Sequence, residues 1–248
     1  MYALDVKTGA VLAAKNLGAD LTSWGEIKNT VLSDILVGDD KHLHVRGLLL
    51  DTQTFERAKE HDWSQKMRSD PTTVPYVKAY AGFLDSSWYN DSYLIYRQRS
   101  NVGHLLALDK AQQTLYGLQG YKVYKGGSNV QDVKKVGADG YRIFSRPAEE
   151  ALADDAWSTS LQFRGLAMVT GKEMLYVAGV PDKFGSEDDP WKYLEGRGGG
   201  VLAVLSKATG KAISELPLES APVFDGMAAA HGELFISCND GTIQCYGK

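Results

Sequence analysis

The sequence has few cysteines, few prolines and no long apolar segment. Only two of its 248 residues are cysteine and seven are proline. Two cysteines cannot build the disulfide framework of a small secreted domain, and no segment approaches the length of a membrane-spanning helix. The formal net charge of −4 offers no general attraction to nucleic acids or anionic membranes. Met1 is not followed by the basic segment and apolar core of a secretion signal.

Glycine, in contrast, is abundant. The chain has 26 glycines, an apolar fraction of 44% and a charged fraction of 23%. The last two values are ordinary for a globular protein, so the chain is able to bury a core. Its length suits one large all-β domain or two small domains. Many glycines with few prolines favour numerous tight hairpins over long helices.

A short pattern recurs along the chain. It consists of an apolar strand, Asp or Ser, two linking residues, a Thr-Gly pair or a variant of it, and a second strand. The copies are anchored at Asp5, Asp51, Asp109 and Ser206, which are 46, 58 and 97 residues apart. The last spacing is about two periods, so a degenerate unit is expected near residue 155. A mean period of about 50 residues is typical of the four-stranded blades of a β-propeller.

The residues of the pattern have clear physical roles. An Asp side chain accepts hydrogen bonds from backbone N–H groups two residues further on and so begins a turn. Glycine adopts the left-handed conformation that ends the turn. The strand at 201–205 is apolar on both faces, as a strand buried on both sides must be. Central strands of a propeller blade meet this condition because each blade lies between two others.

Further strands, helices and loops are predicted from the alternation of apolar and polar residues and from local composition. Strands are expected at 33–38 and 41–46 around an Asp39-Asp40 turn, and at 88–99, 172–178 and 233–238. Segments 56–74 and 147–157 suit short helices or loops, and 184–200 suits a surface loop. If Asp240-Gly241 forms a two-residue turn, Cys238 faces Ile243 and Cys245 faces Ile236 on one side of the final hairpin. Both cysteines are then expected to be small buried apolar residues, with a redox or metal-binding pair as the alternative.

Longer stretches resemble a known family. The Tyr-Ala-Leu-Asp-x-x-Thr-Gly unit that begins at Tyr2 resembles the repeat of quinoprotein-dehydrogenase-like propellers. Residues 82–90, 203–211 and 222–237 are similar to the C-terminal part of bacterial pyrroloquinoline-quinone-binding-like propeller-repeat proteins. The resemblance covers nearly the whole chain. It implies an all-β propeller of four-stranded antiparallel blades. Counting the anchors of the recurring pattern gives about four complete blades and two partial ones.

The same resemblance bears on domain organisation and location. It implies that residues 1–248 are a single β-propeller domain or a portion of one that is truncated at the N-terminus. The chain begins at the third strand of a blade and ends after another third strand, so we expect missing N-terminal blades or a second copy to cover the exposed ends. Relatives of this kind are commonly exported, which suggests a periplasmic or extracellular location.

Catalytic patterns are not evident in the sequence. The quinoprotein dehydrogenases that the chain resembles bind a metal ion, commonly calcium, with Glu, Asn and Asp, and cover the quinone with a tryptophan and a disulfide of adjacent cysteines. This chain has no adjacent cysteine pair and no convincing ligand set. It also lacks the motifs of serine hydrolases, zinc proteases and nucleotide-binding loops. We therefore predict no catalytic residue and no cofactor. A fragment of a dehydrogenase that uses pyrroloquinoline quinone with calcium is the alternative.

A ligand-binding surface is the remaining functional prediction. Asp85, Trp88 and Tyr89, with Arg97 further on, combine aromatic rings with charged and polar groups. Such residues stack on sugar rings or anchor a peptide, although aromatic side chains also fill the gaps between blades. Arg164 lies beside a predicted loop, and Asp225 lies in a turn expected near the propeller axis, where capping of backbone amides is the plainer role.

Two other groups of residues are weaker candidates for metal binding. His42 and His44 share a face of a predicted strand but have no evident third ligand. Glu187, Asp188 and Asp189 lack the spacing of a known calcium loop and suit a solvated turn. The sequence therefore predicts no metal site. Its favoured function is a non-catalytic binding or scaffold module of a larger protein, with a protein or glycan ligand, and a carbohydrate-binding propeller is the second alternative.

Overall fold

The computed structural model describes residues 1–16, 37–38, 42–45, 48–56, 58, 77–80, 93–96, 100–119, 141–148, 153–181, 189 and 191–247. These residues form β-strands and one helical turn, α1 (Trp191–Leu194). None of the helical structure described is long and apolar enough to cross a membrane. The strands are β1 (Tyr2–Leu4), β2 (Val11–Ala14), β3 (Val37–Gly38), β4 (His42–Val45), β5 (Leu48–Asp51), β6 (Val77–Tyr80), β7 (Tyr93–Tyr96), β8 (Ser100–Gly103), β9 (Leu105–Asp109), β10 (Thr114–Gln119), β11 (Tyr141–Pro147), β12 (Trp157–Leu161), β13 (Phe163–Thr170), β14 (Met174–Pro181), β15 (Gly200–Ser206), β16 (Ala212–Leu218), β17 (Pro222–Ala230), β18 (Glu233–Cys238) and β19 (Ile243–Tyr246).

All of these strands except β9 form five sheets, which follow one another along the chain. The first sheet is β1–β2 and the second is β3–β4–β5. The third has the order β12–β11–β10–β8–β7–β6, the fourth β13–β14–β15–β16 and the fifth β17–β18–β19. Pairing is antiparallel throughout except for one parallel bridge, between Gly103 and Leu118. The fold is therefore all-β with mostly antiparallel sheets, as the sequence predicted. No closed ring of sheets is visible in the described part of the chain.

The recurring sequence pattern forms the same turn each time. Asp5 Oδ1 accepts hydrogen bonds from the backbone N of Lys7 (3.1 Å) and of Thr8 (2.7 Å), and Gly9 N donates to Asp5 O (2.8 Å). Asp51 and Asp109 accept equivalent bonds from the two residues at the same offsets. At Ser206, Gly210 N donates to the Ser206 carbonyl (2.8 Å). The three Asp-anchored copies of the sequence pattern thus form the same turn, and the Ser206 copy keeps its backbone bond.

The residue that ends each turn has a positive φ. Gly9 (φ 70°) and Gly210 (φ 69°) adopt it as glycine readily does, whereas Phe55 (φ 57°) and Gln113 (φ 49°) occupy the equivalent positions in the second and third copies. A side chain makes this conformation unfavourable. The hydrogen bonds of the Asp side chain hold the turn in these two copies despite the strain. The sequence pattern therefore tolerates loss of its glycine where Asp begins the turn.

The fourth sheet buries its faces against the third and the fifth. Between the third and fourth sheets, Leu118 and Ile143 pack against Leu175, Val177 and other buried residues in one cluster. Ala178, Leu202, Leu218, Leu234, Ile236 and Cys238 form a second cluster, between the fourth and fifth sheets. β13 is the common element, because it packs against both β9 and β17. Each fully buried Leu or Ile contributes about 2 kcal/mol to this stacking.

The unit expected near residue 155 is not a separate sheet. β11 and β12 form a hairpin in which Ser145 lies opposite Trp157, and β11 pairs with β10 along its whole length. The hairpin therefore extends the third sheet to six strands. Spacing could not reveal this, because a hairpin that joins an existing sheet and a new four-stranded unit occupy similar lengths of chain. Among the described sheets, only the fourth has the four strands expected of a blade.

The final hairpin has a different register from the one predicted. Ser237, not Cys238, lies opposite Ile243, and Cys245 lies opposite Phe235. The loop contains three residues rather than two: Cys238 N donates to Thr242 O (2.9 Å), and Gly241 adopts φ 82°. The extra residue moves the cysteines to opposite faces, since one step of register exchanges the faces of a strand. Cys238 is buried as predicted, but Cys245 is exposed.

Several other predictions can be compared with the described residues. The hairpin around Asp39-Asp40 is confirmed by the pairing of β3 with β4, and the strand expected at 172–178 is β14. Segments 59–76, 149–152 and 182–188, for which helices or loops were predicted, lie outside the described residues, as do 81–92. Both faces of β15 are largely buried, as its continuous apolar sequence predicted.

Candidate functional site

Four of the six predicted ligand-binding residues cannot be placed. Asp85, Trp88, Tyr89 and Arg97 lie outside the described residues. Neither their proximity to each other nor their role in binding is tested, and the surface that they were predicted to form stays a prediction. The other two, Arg164 and Asp225, are both described.

Arg164 and Asp225 lie on two strands that pack together. Arg164 is in β13, opposite Val180, and Asp225 is in β17, within a bulge between Pro222 and Met227. The two side chains, both described, form no ion pair with each other. Adjacent strands therefore bring these residues to the same junction without making them partners.

Asp225 is unusual in its backbone and in its charge. Its φ of 54° is rare for a residue with a side chain. Much of the residue is exposed, yet partial burial of the carboxyl group raises its pKa. The capping role expected for Asp225 would lower its pKa, because hydrogen bonds from backbone amides stabilise the charged carboxylate. The observed direction does not favour capping.

His104 is a buried side chain that the sequence did not single out. It is 6% exposed, and its Nε2 lies 2.9 Å from the Gly165 carbonyl oxygen in the neighbouring sheet. Burial lowers the pKa of His104 to about 4. The hydrogen bond to Gly165 opposes this shift, and the positive charge of Arg164 adds to it. His104 is therefore neutral near pH 7 and joins the third sheet to the fourth.

A second polar connection joins the same two sheets. Lys207 lies in the turn that begins at Ser206. It forms an ion pair with Asp109, the first residue of the third copy of the recurring turn. Its Nζ also donates to the carbonyl oxygens of Gly171 (3.0 Å) and Lys172 (3.1 Å). The Lys207 and Asp109 side chains are 4% and 11% exposed. The hydrogen bond with Lys207, followed by those of the turn amides, lowers the pKa of Asp109.

Trp157 completes this junction. Its indole Nε1 donates to the Lys207 carbonyl (2.7 Å), and its ring lies 5.9 Å from that of Tyr116. A Cβ atom at Gly210 would lie 2.3 Å from the Trp157 ring. Gly210 is therefore required both for the backbone of its turn and for the close approach of the tryptophan. No short-range signal could have linked Trp157 to a turn about 50 residues away in sequence.

A charged cluster lies at the edge of the third sheet. Arg142 and Arg146 both pair with Asp155, and their guanidinium carbons lie 4.6 and 4.3 Å from the centre of the Phe144 ring. Burial lowers the pKa of both arginines. Gln119 Oε1 accepts a further bond from Arg142 (2.9 Å). These contacts hold the β11–β12 hairpin together.

The weaker metal candidates are only partly described. His42 lies opposite Asp51 in the second sheet. Asp189 forms an ion pair with Arg197 (2.9 Å), whereas Glu187 and Asp188 lie outside the described residues. The described part of the chain contains no group of three side chains suited to hold a metal ion.

A groove opens between the outer parts of the fourth and fifth sheets. Its volume is about 700 Å³. Its walls are formed by Tyr176, Leu202 and Leu216 of the fourth sheet and by Leu234 and Tyr246 of the fifth. Most of the lining is apolar, with Lys172, His231 and Glu233 among its charged or ionisable members. Sequence reasoning missed the groove, because its sides come from strands that are far apart in the chain.

Comparisons with known proteins give no family assignment. No protein-family model matches the chain, and no curated protein matches it. Among solved structures, BamB from Moraxella catarrhalis is similar over 100% of this chain and 66% of its own length, with 15% identity and a TM-score of 0.47. The computationally designed Ika8 protein matches over 69% of the chain (9% identity, TM-score 0.33), and the tricorn protease over 86% (12% identity, TM-score 0.38). The chain thus spans just under two thirds of the BamB chain that it matches.

Proposed function

We propose that this chain is a non-catalytic binding module built from β-propeller blades and that it forms part of a larger protein. The observation that carries the proposal is the repeated unit itself. Each copy ends one strand with an Asp- or Ser-anchored turn, and the fourth sheet packs face to face with the third and the fifth. Sheets that depend on their neighbours for burial are characteristic of repeat architectures, which present extended surfaces to partners.

The buried polar side chains support a structural rather than a chemical role. His104 bonds to a backbone carbonyl, and Lys207 to an Asp and two carbonyls. Both connect neighbouring sheets, and both are almost inaccessible to solvent. A catalytic base or nucleophile has to reach its substrate, and these groups do not. His104 and Lys207 are thus engaged in holding the sheets together.

Within this proposal, Arg164 and Asp225 are ligand contacts, together with the undescribed Asp85, Trp88, Tyr89 and Arg97. Strained backbone is retained where the surrounding structure or a function requires it. Asp225 combines such a backbone with a carboxyl group that no described hydrogen bond engages. Asp225→Asn and Arg164→Gln should therefore weaken binding of the natural ligand without loss of the fold.

The proposal is tested by comparing three classes of ligand on the whole chain. Random peptides displayed on phage are selected on the immobilised protein, and enriched peptides are measured by fluorescence anisotropy. Pyrroloquinoline quinone with calcium is titrated in parallel with a dye-reduction assay, and a glycan array is probed with the natural chain and Trp88→Ala. We expect saturable peptide binding only. Saturable quinone binding with dye reduction, or glycan binding lost in Trp88→Ala, would replace the proposal with one of the alternatives.

A further inference from the structure

Two Asp-Gly pairs of the fifth sheet hold their carboxyl groups in different ways. In such a pair the side-chain carboxyl group is followed by a backbone amide without the steric hindrance of a Cβ. Asp225-Gly226 lies in the bulge of β17, and Asp240-Gly241 lies in the loop between β18 and β19. The third pair of the sequence, Asp139-Gly140, lies outside the described residues.

The carboxyl group of Asp240 is fixed by hydrogen bonds. Its Oδ1 accepts from the Thr242 Oγ1 hydroxyl (2.7 Å) and from the Thr242 backbone N–H (2.9 Å). These bonds, in that order, lower the pKa of Asp240, because they stabilise the charged form. The amide of Gly241 donates to Cys238 O (3.0 Å). Both the carboxylate and the amide that follows it are thus occupied.

The carboxyl group of Asp225 is in the opposite state. Among the described residues, no hydrogen bond engages it, and partial burial raises its pKa. At a given pH, the neutral acid is therefore a larger fraction of Asp225 than of Asp240. The neutral acid is the form that loses water when an amide nitrogen attacks it, since hydroxide leaves more readily than oxide.

The backbone around Asp225 is strained and irregular. β17 pairs with β18 at Pro222 and again from Met227, and residues 223–226 between them are out of register. Asp225 has a φ of 54°, whereas the φ of Asp240 is not positive. A left-handed φ is unfavourable for an L residue and favourable for its mirror image. The strain therefore favours a reaction that releases the L configuration at residue 225.

We propose that Asp225 and Gly226 form a site of spontaneous backbone modification. The Gly226 nitrogen attacks Asp225 Cγ, an N–Cγ bond forms, and the amide proton leaves with the hydroxyl group as water, which closes a succinimide ring. Water then adds at Cγ and restores aspartate, or adds at the Asp225 carbonyl carbon and gives β-linked isoaspartate. The Cα proton of the ring is lost and regained on either face, so D products also form. The inference does not depend on the proposed binding function.

The modification changes a segment that holds the fifth sheet in place. Isoaspartate adds a methylene group to the main chain between Phe224 and Met227. Phe224 packs against two buried clusters of the third and fourth sheets, and Met227 resumes the pairing with β18. The longer main chain has to displace one of these two residues, so the reaction couples ageing of the protein to the packing of its sheets.

The test compares both Asp-Gly pairs in one peptide. The folded chain is incubated in buffer, and trypsin then releases residues 212–248 as a single peptide that contains Asp225 and Asp240. Electron-transfer fragmentation locates isoaspartate, and synthetic peptides with a D residue at one position identify the D products by co-elution. We expect isoaspartate to form about tenfold faster at residue 225, because two hydrogen bonds must break before Asp240 reacts. The D fraction should also be higher at residue 225.

Two controls separate the effect of the fold from that of the dipeptide. In concentrated urea the hydrogen bonds of Asp240 and the strain at Asp225 are both absent, so the two pairs should react at similar rates. Asp225→Glu requires a larger ring and should abolish modification at residue 225 while Asp240 reacts as before. Equal rates at the two pairs in the folded chain, or the same excess at residue 225 in urea, overturns the inference. A D fraction at residue 225 no higher than at residue 240 also overturns it.

Discussion

The two junctions that flank the fourth sheet are built differently. Its junction with the third sheet is closed by polar contacts: the Lys207–Asp109 ion pair, the indole bond of Trp157 and the His104 bond to Gly165. Its junction with the fifth sheet consists mainly of apolar side chains and opens into a groove of about 700 Å³. The first arrangement fixes the position of one sheet on the next, because directional bonds require particular partners. The second leaves surface for a ligand.

This difference affects how strongly each junction depends on particular residues. Apolar contacts supply most of the stacking energy in both junctions, but they tolerate small displacements. Hydrogen bonds between buried groups do not, since a buried group without a partner costs free energy. We therefore expect substitutions in the polar junction to lower stability the most.

The largest effect is expected from removing the buried lysine. Lys207→Ala deletes the partner of Asp109 and leaves two carbonyl groups without a donor. Breaking a buried ion pair on one side is costly, so the free energy of unfolding should fall by roughly 3–4 kcal/mol in urea denaturation. Lys211→Ala, at an exposed position in the same turn region, should change it by less than about 0.5 kcal/mol. Equal effects of the two variants would show that the polar junction is unimportant.

The buried His104 should make the stability of the chain depend on pH. His104 has a pKa of about 4 in the fold against an ordinary value of 6.5. Between these values the unfolded chain binds a proton that the folded chain does not, so this contribution is complete above pH 6.5 and is lost as pH falls towards 4. The loss should amount to roughly 3 kcal/mol. Urea denaturation from pH 8 to 4 should show a steeper decline for the natural chain than for His104→Gln. Parallel curves would contradict the burial of a neutral histidine.

A matched pair of glycine variants tests the tryptophan contact. Gly9 and Gly210 end equivalent turns with nearly equal φ, but nothing lies within 4 Å of a Cβ at Gly9, whereas the Trp157 ring occupies that space at Gly210. Gly9→Ala should cost about 1 kcal/mol, the strain of a left-handed alanine. Gly210→Ala should cost about 1–2 kcal/mol more, because Trp157 must move. In a Trp157→Ala background the extra cost should disappear.

The smallest effect is expected in the third turn. Gln113 adopts φ 49° without the glycine that the pattern favours, and it is exposed. Gln113→Gly relieves the strain but gives the unfolded chain more freedom, so the variant should gain about 0.5 kcal/mol. Thermal unfolding should show a small rise in Tm. A fall would mean that the hydrogen bond from Gln113 Nε2 to the Lys110 carbonyl, 2.7 Å long, outweighs the strain.

The local turns could be predicted from the sequence, and the junctions could not. Asp5 and Asp109 act on residues two and three positions away, so their role is visible in a short stretch. Trp157 and Lys207 act across about 50 residues or more of intervening chain, and no spacing rule connects them. The predicted register of the final hairpin was wrong for a different reason. The Asn-Asp-Gly sequence suits either a two-residue or a three-residue loop, and the choice decides which face Cys245 occupies.

The candidate site, like the junctions, could be predicted only in part from the sequence. Arg164 and Asp225 were chosen for their proximity to predicted turns, and the structure places them on strands that pack together. The groove depends on how β16 and β19 end their sheets, which is a property of the assembled fold. Its apolar residues occur in strands whose sequences suit ordinary core positions. Sequence alone therefore could not distinguish them from the rest of the core.

Residue-resolved amide hydrogen exchange tests the contrast between a closed and an open junction most directly. In the free chain, the amide of Lys207, which bonds to the Glu173 carbonyl, should exchange slowly, and so should those of Gln244 and Tyr246. The amides of Ile243 and Cys245 should exchange rapidly. Uniform protection along β19, or rapid exchange of the Lys207 amide, would contradict the account.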